Sequence, residues 1–254
     1  MNLMFPILEF DPEKKAFIEP SAVNDAHDIP ECCVICFFKD VLDRIIENHQ
    51  PKLLVENSWE DGSHDVYELD VNGKRLAFYH SGVGAAVTGG LMEEVIAFGC
   101  RKFIACGGCG VLEKDVPVGH LFILSGAVRD EGVSYHYLPP SREVSANQRV
   151  LKKIARVFQQ RNIPFRIAKT WTTDAPYRET SARIKKRREE GCAVVEMEAA
   201  GMMAVAEFRG IDFGQIVYSG DDLSGKEWDS RGWQSKREIR ESLFWLCADA
   251  CLTL

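Results

Sequence analysis

The sequence has no apolar stretch long enough to cross a bilayer. Its longest uncharged apolar run, "CCVICFF", is seven residues, the length of a buried strand and far short of the roughly 20 residues a membrane helix needs. The opening "MNLMFPILEFDPEKK" lacks a basic start and a hydrophobic core, so no signal peptide is expected and a cytoplasmic location follows by default. Positive charge is in short supply: 31 Lys and Arg stand against 38 Asp and Glu, a formal net charge of −7. That balance argues against a nucleic-acid backbone as the partner. The one basic run, "ARIKKRREEG", ends in acids at helical spacing and reads as a solvated helix face. Internal repeats, low-complexity tracts and linkers are also missing, so a single domain over residues 1–254 is the economical expectation.

Metal chemistry is not expected either. Nine cysteines, an odd number, suit reduced thiols in a reducing compartment. Two CxxC pairs occur, Cys33/Cys36 and Cys106/Cys109. The first lies in a strand-like run, where residues three apart point to opposite faces. The second sits in a glycine turn. A structural zinc site wants four convergent ligands.

What is present is an alternation of strands and helices. "RLAFYH" reads as a strand broken by the glycines of "SGVGAAVTGG", and "GGLMEEVIAFG" follows with Leu91, Val95 and Phe98 at helical spacing. "KFIAC" is a short strand closed by "GGCG", and "HLFILSGAVRD" is another. Ser145 is placed to cap a helix whose Val150, Leu151, Ile154, Val157 and Phe158 share one face. "FRIAKTWTT", "CAVVEM" and "FGQIVYSGDD" are further strands, with a helix at about Ala199 to Arg209 and a long amphipathic one from Trp233. Strand, glycine turn, helix, strand is the grammar of an α/β domain with a largely parallel sheet. In such sheets ligands gather at the carboxyl ends of strands. The chemically active residue types cluster there: His80–Gly84, Cys106–Gly110, Thr172–Tyr177, Glu196–Glu198 and Asp221–Asp222.

Four of these segments suggest chemistry. Gly82 and Gly84 precede a helix, where free backbone N–H groups and the helix dipole favour an anion; the third glycine of a dinucleotide fingerprint and a Walker lysine are both missing. "ACGGCG" offers small residues that let a ligand approach the backbone, or simply pack a strand into a loop. Glu196, Met197 and Glu198 in "VVEMEAAG" stand where a strand runs into a helix. A carboxylate there presents two acceptor oxygens to two vicinal hydroxyls, the pattern of a ribose diol, and methionine supplies a soft surface for a sugar face. The plainer reading is a helix cap and an ion pair. Asp221 and Asp222, at the last strand end, can include a carboxyl kept protonated by an apolar pocket, or form an ordinary acidic turn.

"VVEMEAAG" resembles the signature of the purine nucleoside phosphorylase–uridine phosphorylase family. "YHSGVGAAVTGGLMEEVIAFGCRKFIACGGCGVL", "VPVGHLFILSGAVRDEGVSYHYLPP" and "TTDAPYRET" resemble that family's segments in the same order, from about Arg75 to Asp222. Asp221 follows Glu196 at the spacing at which purine-handling members carry their catalytic aspartate. The resemblance implies a single α/β domain with a twisted mixed β-sheet flanked by helices, assembled as a dimer or a trimer of dimers. It implies phosphate-dependent reversible cleavage of a ribonucleoside N-glycosidic bond, with inorganic phosphate as co-substrate and no cofactor. By position, Glu198 would hold the ribose hydroxyls, Met197 would pack on the sugar and Glu196 would support the ribose or base. Cys109, Gly110 and Tyr177 would line the base, and Asp221, or Asp222, would protonate it. Tyr135 and Tyr137 would suit a contact with a neighbouring subunit.

The phosphate half departs from the family pattern. The N-terminal Gly-Asp-Pro-x-Arg loop is replaced by "CVICFFKDVLDRI", Ala105 stands where an arginine is usual, and Gly108 replaces a phosphate-binding Ser or Thr. Arginine's fork is the natural ligand for phosphate. The remaining expectations are Arg44 or Lys39, the amides around Gly82 and Gly84, the Gly108 position and an arginine from a neighbouring subunit. Two alternatives follow: a hydrolase of the same fold that uses water, and a non-catalytic nucleoside binder. The Gln-x-Arg pair of uridine-specific members is absent from "YRETSARIKKR", which tilts the base towards purine, although "AVRDEGVSYHYLPP" resembles the uridine side.

Overall fold

Apolar strands flanked by amphipathic helices should build a layered sheet, and a computed structural model describing residues 5–254 has that architecture. The first four residues of the N-terminal segment lie outside the described residues. Among the described residues twelve strands occur: β1 (Cys32–Cys36), β2 (Lys52–Val55), the short hairpin β3 (Ser58–Trp59) and β4 (Gly62–Ser63), β5 (Val66–Val71), β6 (Lys74–His80), β7 (Lys102–Val111), β8 (Leu121–Asp130), β9 (Glu143–Ser145), β10 (Phe165–Thr173), β11 (Cys192–Glu196) and β12 (Asp212–Asp222). The helices are α1 (Pro20–Val23), α2 (Lys39–His49), α3 (Ala85–Phe98), α4 (Ser134–Tyr137), α5 (Gln148–Gln160), α6 (Ser181–Glu189), α7 (Ala199–Arg209) and α8 (Arg237–Cys251). Among the described residues no helix is long and apolar enough to cross a membrane.

The main sheet runs β11-β10-β8-β12-β7-β1-β6-β5-β2, and β11 pairs again with β7, so β7, β12, β8, β10 and β11 close into a ring. Two parallel groups run in opposite directions. β6, β1, β7 and β12 form one, while β8, β10 and β11 form the other. The groups meet at two antiparallel seams. At one, Ile216–Tyr218 pair with Leu121–Ile123; at the other, Val194 and Val195 pair with Val111 and Gly110. The second seam lays the carboxyl end of β11 against that of β7, which is why glutamates and glycines far apart in sequence become neighbours.

Burial follows the expected pattern. β1 is apolar and buried on both faces, as a central parallel strand should be. Val150, Leu151, Ile154, Val157 and Phe158 of α5 all point inward. α7 packs on β8, β12 and α3, while α8 covers β1 and β7.

Three local expectations need correction. The cap of α5 is Asn147, whose Oδ1 accepts the Arg149 N–H at 3.0 Å; Ser145 instead pairs in β9 with Gly126. α3 begins at Ala85, immediately after Gly84, whose φ of 101° favours glycine. The later glycines of "VTGG" therefore lie inside the helix, because tertiary packing outweighs their weak helix propensity. Finally, "GGCG" does not turn: β7 continues through it, with Gly107, Gly108 and Cys109 paired to Val217, Tyr218 and Ser219.

All nine cysteines are free thiols, and Cys33 and Cys36 lie fully buried in β1. Among the described residues no group of three or more His, Cys, Asp or Glu is arranged to hold a metal ion. Tyr135 and Tyr137 have partners within the chain. The Tyr135 hydroxyl donates to the Arg129 carbonyl at 2.8 Å, and the Tyr137 ring packs edge-on against Phe208 at 5.4 Å.

Candidate functional site

Glu196 is the last residue of β11, two positions before the N-cap of α7, so its side chain lies beside the free N–H groups of that helix. Oε2 accepts the N–H groups of Glu198 (2.8 Å) and Ala199 (2.6 Å), and Oε1 accepts the hydroxyls of Thr172 (2.6 Å) and Thr170 (3.2 Å). Four donors occupy the four places a carboxylate offers. Glu196, expected to support the ribose or base, lines the cavity with these four acceptor places already filled. Its acceptors are used by the protein, and it is the clamp that holds the strand–helix junction.

Glu198 is different. It is the N-cap of α7, but its side chain reaches across to the start of α3. Oε1 accepts the Gly84 N–H at 2.8 Å and Oε2 accepts the Met197 N–H at 3.3 Å. Two further acceptor positions remain on a carboxylate that lines a cavity. The anion that meets the Gly84 amide is thus the protein's own, which removes Gly84 from the expected phosphate ligands. Gly82 lies under Val87 in the same turn, off the cavity wall.

The carboxyls are buried to the same degree, with 6% of each residue exposed. Burial pushes the Glu198 carboxyl up to about 8, with the nearby Glu196 adding to the rise, against the pull of the Gly84 and Met197 amides. Burial also raises Glu196, opposed by the two threonine hydroxyls and the two backbone N–H groups. The N-termini of α3 and α7 both supply amides here, so helix dipoles offset part of the cost of burying charge.

The cavity, about 290 Å³, opens at the carboxyl ends of β7, β11 and β12. Of the residues singled out in the sequence, it brings together Gly108, Cys109, Gly110, Glu196, Met197, Glu198 and Asp221. Gly110 is required by space: a Cβ there would lie 2.5 Å from Leu223 Cδ1 and 2.9 Å from Val195 Cγ1. Burial raises the Cys109 thiol well above its ordinary value, so it is an uncharged wall. Asp221 Oδ2 accepts the Trp228 indole N–H at 2.7 Å, and the Asp221 carbonyl accepts from Arg231 at 3.0 Å.

Three expected residues lie elsewhere. Arg44 is bound into ion pairs with Glu241 (3.2 Å) and Asp40 (3.4 Å) between α2 and α8, away from the cavity wall. Tyr177 is 97% exposed on an adjoining surface depression. Asp222 ends β12 and is used by the chain itself: Oδ1 accepts the Ser224 N–H at 2.7 Å, and its backbone pairs with Asp229.

Two charged residues that sequence reasoning missed complete the wall. Arg240, from α8, stacks its guanidinium on Phe38 at 4.4 Å and pairs with Asp40 at 3.0 Å; its Nε is buried without a hydrogen-bond partner. Glu179, just after the short 3-10 turn Pro176–Arg178, lines the cavity beside Asp221. Burial and the Asp221 charge raise its carboxyl to about 7. Arg240 belongs to no motif and "REIRES" reads as surface sequence, whereas Glu179 lies within the "TTDAPYRET" segment, where spacing alone gave it no role. Another cavity of about 310 Å³, beside Met203 and Phe213, carries a single ionisable residue, Glu207, and so offers little chemistry.

A family model described as the phosphorylase superfamily matches residues 31–244, and the chain belongs to that family. It is 24% identical over 224 residues to the guanosine phosphorylase of Halorubrum lacusprofundi, covering 88% of this chain and 90% of the relative. It is 26% identical over 163 residues to a DeoD-type purine nucleoside phosphorylase of Bacillus cytotoxicus, covering 61% and 69%. The fold matches uridine phosphorylase from Vibrio fischeri with a TM-score of 0.74 at 21% identity, covering 89% and 91% of the two chains. It also matches AMP nucleosidase from Bacteroides thetaiotaomicron with a TM-score of 0.71 at 20% identity, covering 88% and 87%.

Proposed function

We propose that this member of the phosphorylase superfamily cleaves the N-glycosidic bond of a ribonucleoside, purine in preference to uridine, with phosphate as the acceptor. The products are the free base and ribose 1-phosphate. The observation that carries this reading is Glu198, a buried carboxylate with one amide on each oxygen and acceptor capacity left towards the cavity. Vicinal hydroxyls of a ribose satisfy that capacity, and Met197 lies beside them as an apolar surface.

Cleavage develops positive charge on the sugar and negative charge on the base. A carboxylate at the sugar end and an acid at the base end, where Asp221 and Glu179 lie, stabilise that separation. Arg240, the one cation on the cavity wall among the described residues, is the natural holder of phosphate. No cofactor beyond phosphate is required in this reading. A cytoplasmic, homo-oligomeric enzyme, as a dimer or a trimer of dimers, accords with nine free thiols and with Tyr177 and Trp228 exposed at the rim; light scattering tests the assembly.

A second reading, hydrolysis by water, has one observation in its favour. Glu179, Glu196, Glu198 and Asp221 all line the cavity, against an Arg240 already paired with Asp40. With its single cation among the described residues already paired, the wall offers little positive charge to hold a phosphate anion. Incubation with inosine, guanosine and uridine, with and without phosphate, separates the two. Base release that requires phosphate and yields ribose 1-phosphate supports phosphorolysis. Release of free ribose regardless of phosphate replaces it with hydrolysis, and no release from any nucleoside overturns both.

A further inference from the structure

Two carboxyls, Asp221 and Glu179, lie together at the base end of the cavity, and they are held differently. Asp221 projects from β12, and its Oδ2 is already engaged as an acceptor by the Trp228 indole at 2.7 Å. Glu179 has no hydrogen-bond or ion-pair partner for its carboxyl among the described residues. Its position is nevertheless defined. The Glu179 N–H donates to the Pro176 carbonyl at 3.2 Å, and the next residue, Thr180, caps α6. A half-buried acid with a fixed backbone and an unclaimed carboxyl faces the place where a base would lie.

We propose that Glu179 is the proton donor to the departing base, with Asp221 beside it as the acceptor that positions the base. The inference rests on the reading of the cavity as a site of N-ribosyl cleavage. In the step, the C1′–N9 bond breaks and its electron pair enters the purine ring. The Glu179 carboxyl proton passes to N7, so the base leaves neutral. A phosphate oxygen forms the new bond to C1′, and the proton that the phosphate gives up returns to Glu179 through solvent.

Electrostatics agree with this division of labour. Burial, with the Asp221 charge adding to it, raises Glu179 to about 7, so a large fraction carries its proton at neutral pH. The other ionisable groups on the cavity wall are the Cys109 thiol on β7, Glu196 and Glu198 at the end of β11, and Arg240 on α8. On its own segment the neighbours are Tyr177 and Arg178, both exposed. Because the donor must be protonated, turnover should fall as pH rises through about 7.

The test compares wild type with Glu179→Gln on two substrates from pH 5.5 to 9. Inosine needs its base protonated as it leaves; 7-methylguanosine, already cationic in the imidazole ring, does not. We expect the variant to lose about 100-fold or more in kcat on inosine and less than about threefold on 7-methylguanosine, as loss of a general acid alone would give. The decline of inosine turnover at alkaline pH should disappear as well. Equal losses on both substrates, or an unchanged inosine rate, would falsify the assignment. A wild type that cleaves neither compound overturns the parent reading. A wild type that cleaves both, beside a variant that matches it, overturns this inference alone.

Discussion

The two ends of the cavity are built on opposite principles. At the end proposed to take the sugar, Glu196, Met197 and Glu198 are consecutive in the chain, and the strand–helix junction that carries them supplies most of its own hydrogen bonds. At the end proposed to take base and phosphate, Glu179, Asp221 and Arg240 come from three separate segments and are aligned only by the closed sheet and by α8. The first end is over-determined: removing one partner exposes buried amides. The second is adjustable, since its side chains lean on single contacts such as the Trp228 indole or the Phe38 ring. A fold that keeps the sugar end rigid can vary acceptor and base at the other end without losing its core.

The sharpest way to break this comparison is Glu198→Gln. Two charge-assisted contacts to the ribose become weaker, each worth about 1.5–3 kcal/mol, so kcat/KM should fall about 10²–10³-fold or more. The same variant tests the cost of burial. The folded Glu198 carboxyl is raised to about 8 from an ordinary 4.5, so the folded protein holds a proton that the unfolded chain releases. Stability is therefore lost as pH rises from 4.5 towards 8, and Glu198→Gln should show a smaller decline in Tm over that range. A steeper decline would contradict the account. Nucleoside binding, which favours the ionised carboxylate, should also release a proton near pH 7, read by calorimetry in buffers of differing ionisation enthalpy.

Glu196→Ala probes the clamp. It strands two amides and two hydroxyls that are buried, at about 1–3 kcal/mol for each group left unsatisfied. Urea unfolding should show a loss of about 3 kcal/mol or more. A loss under about 1 kcal/mol would mean that the junction is not held as described.

Arg240→Gln addresses the adjustable end. Under phosphorolysis, the KM for phosphate should rise about tenfold, as expected for one charge-assisted contact worth roughly 1.4 kcal/mol, with little change in nucleoside KM. An unchanged phosphate KM would free Arg240 from that role. The smallest effect belongs to Tyr177→Ala. With 97% of the residue exposed, kcat/KM should change by less than about threefold in an isolated subunit. A larger loss that tracks with a change in oligomeric state would instead place Tyr177 at a subunit boundary.

Much of the architecture was legible from pattern. β10 and α7 occupy the residues their hydrophobic spacing predicts, because each is a regular element with one buried face or two. The sugar end was legible for a related reason: paired carboxylates in an apolar run demand partners, and the nearest amides belong to the adjoining helix. The division between them was not. Which glutamate is saturated depends on Thr170, Thr172 and Gly84, whose proximity requires β10 to lie beside β11 and α3 beside α7.

By itself, the sequence determined an α/β sheet and two glutamates at a strand end, because periodicity and the cost of burying charge are local properties, while the phosphorylase kind rested on the resemblance carried by "VVEMEAAG" and its companion segments. Only the tertiary structure decided that Arg44 is tied into surface ion pairs, that Arg240 and Glu179 reach the cavity, and that Glu196 is structural while Glu198 has capacity to spare. Those outcomes depend on which distant segments the closing of the sheet brings within hydrogen-bond reach, and no spacing along the chain encodes that distance.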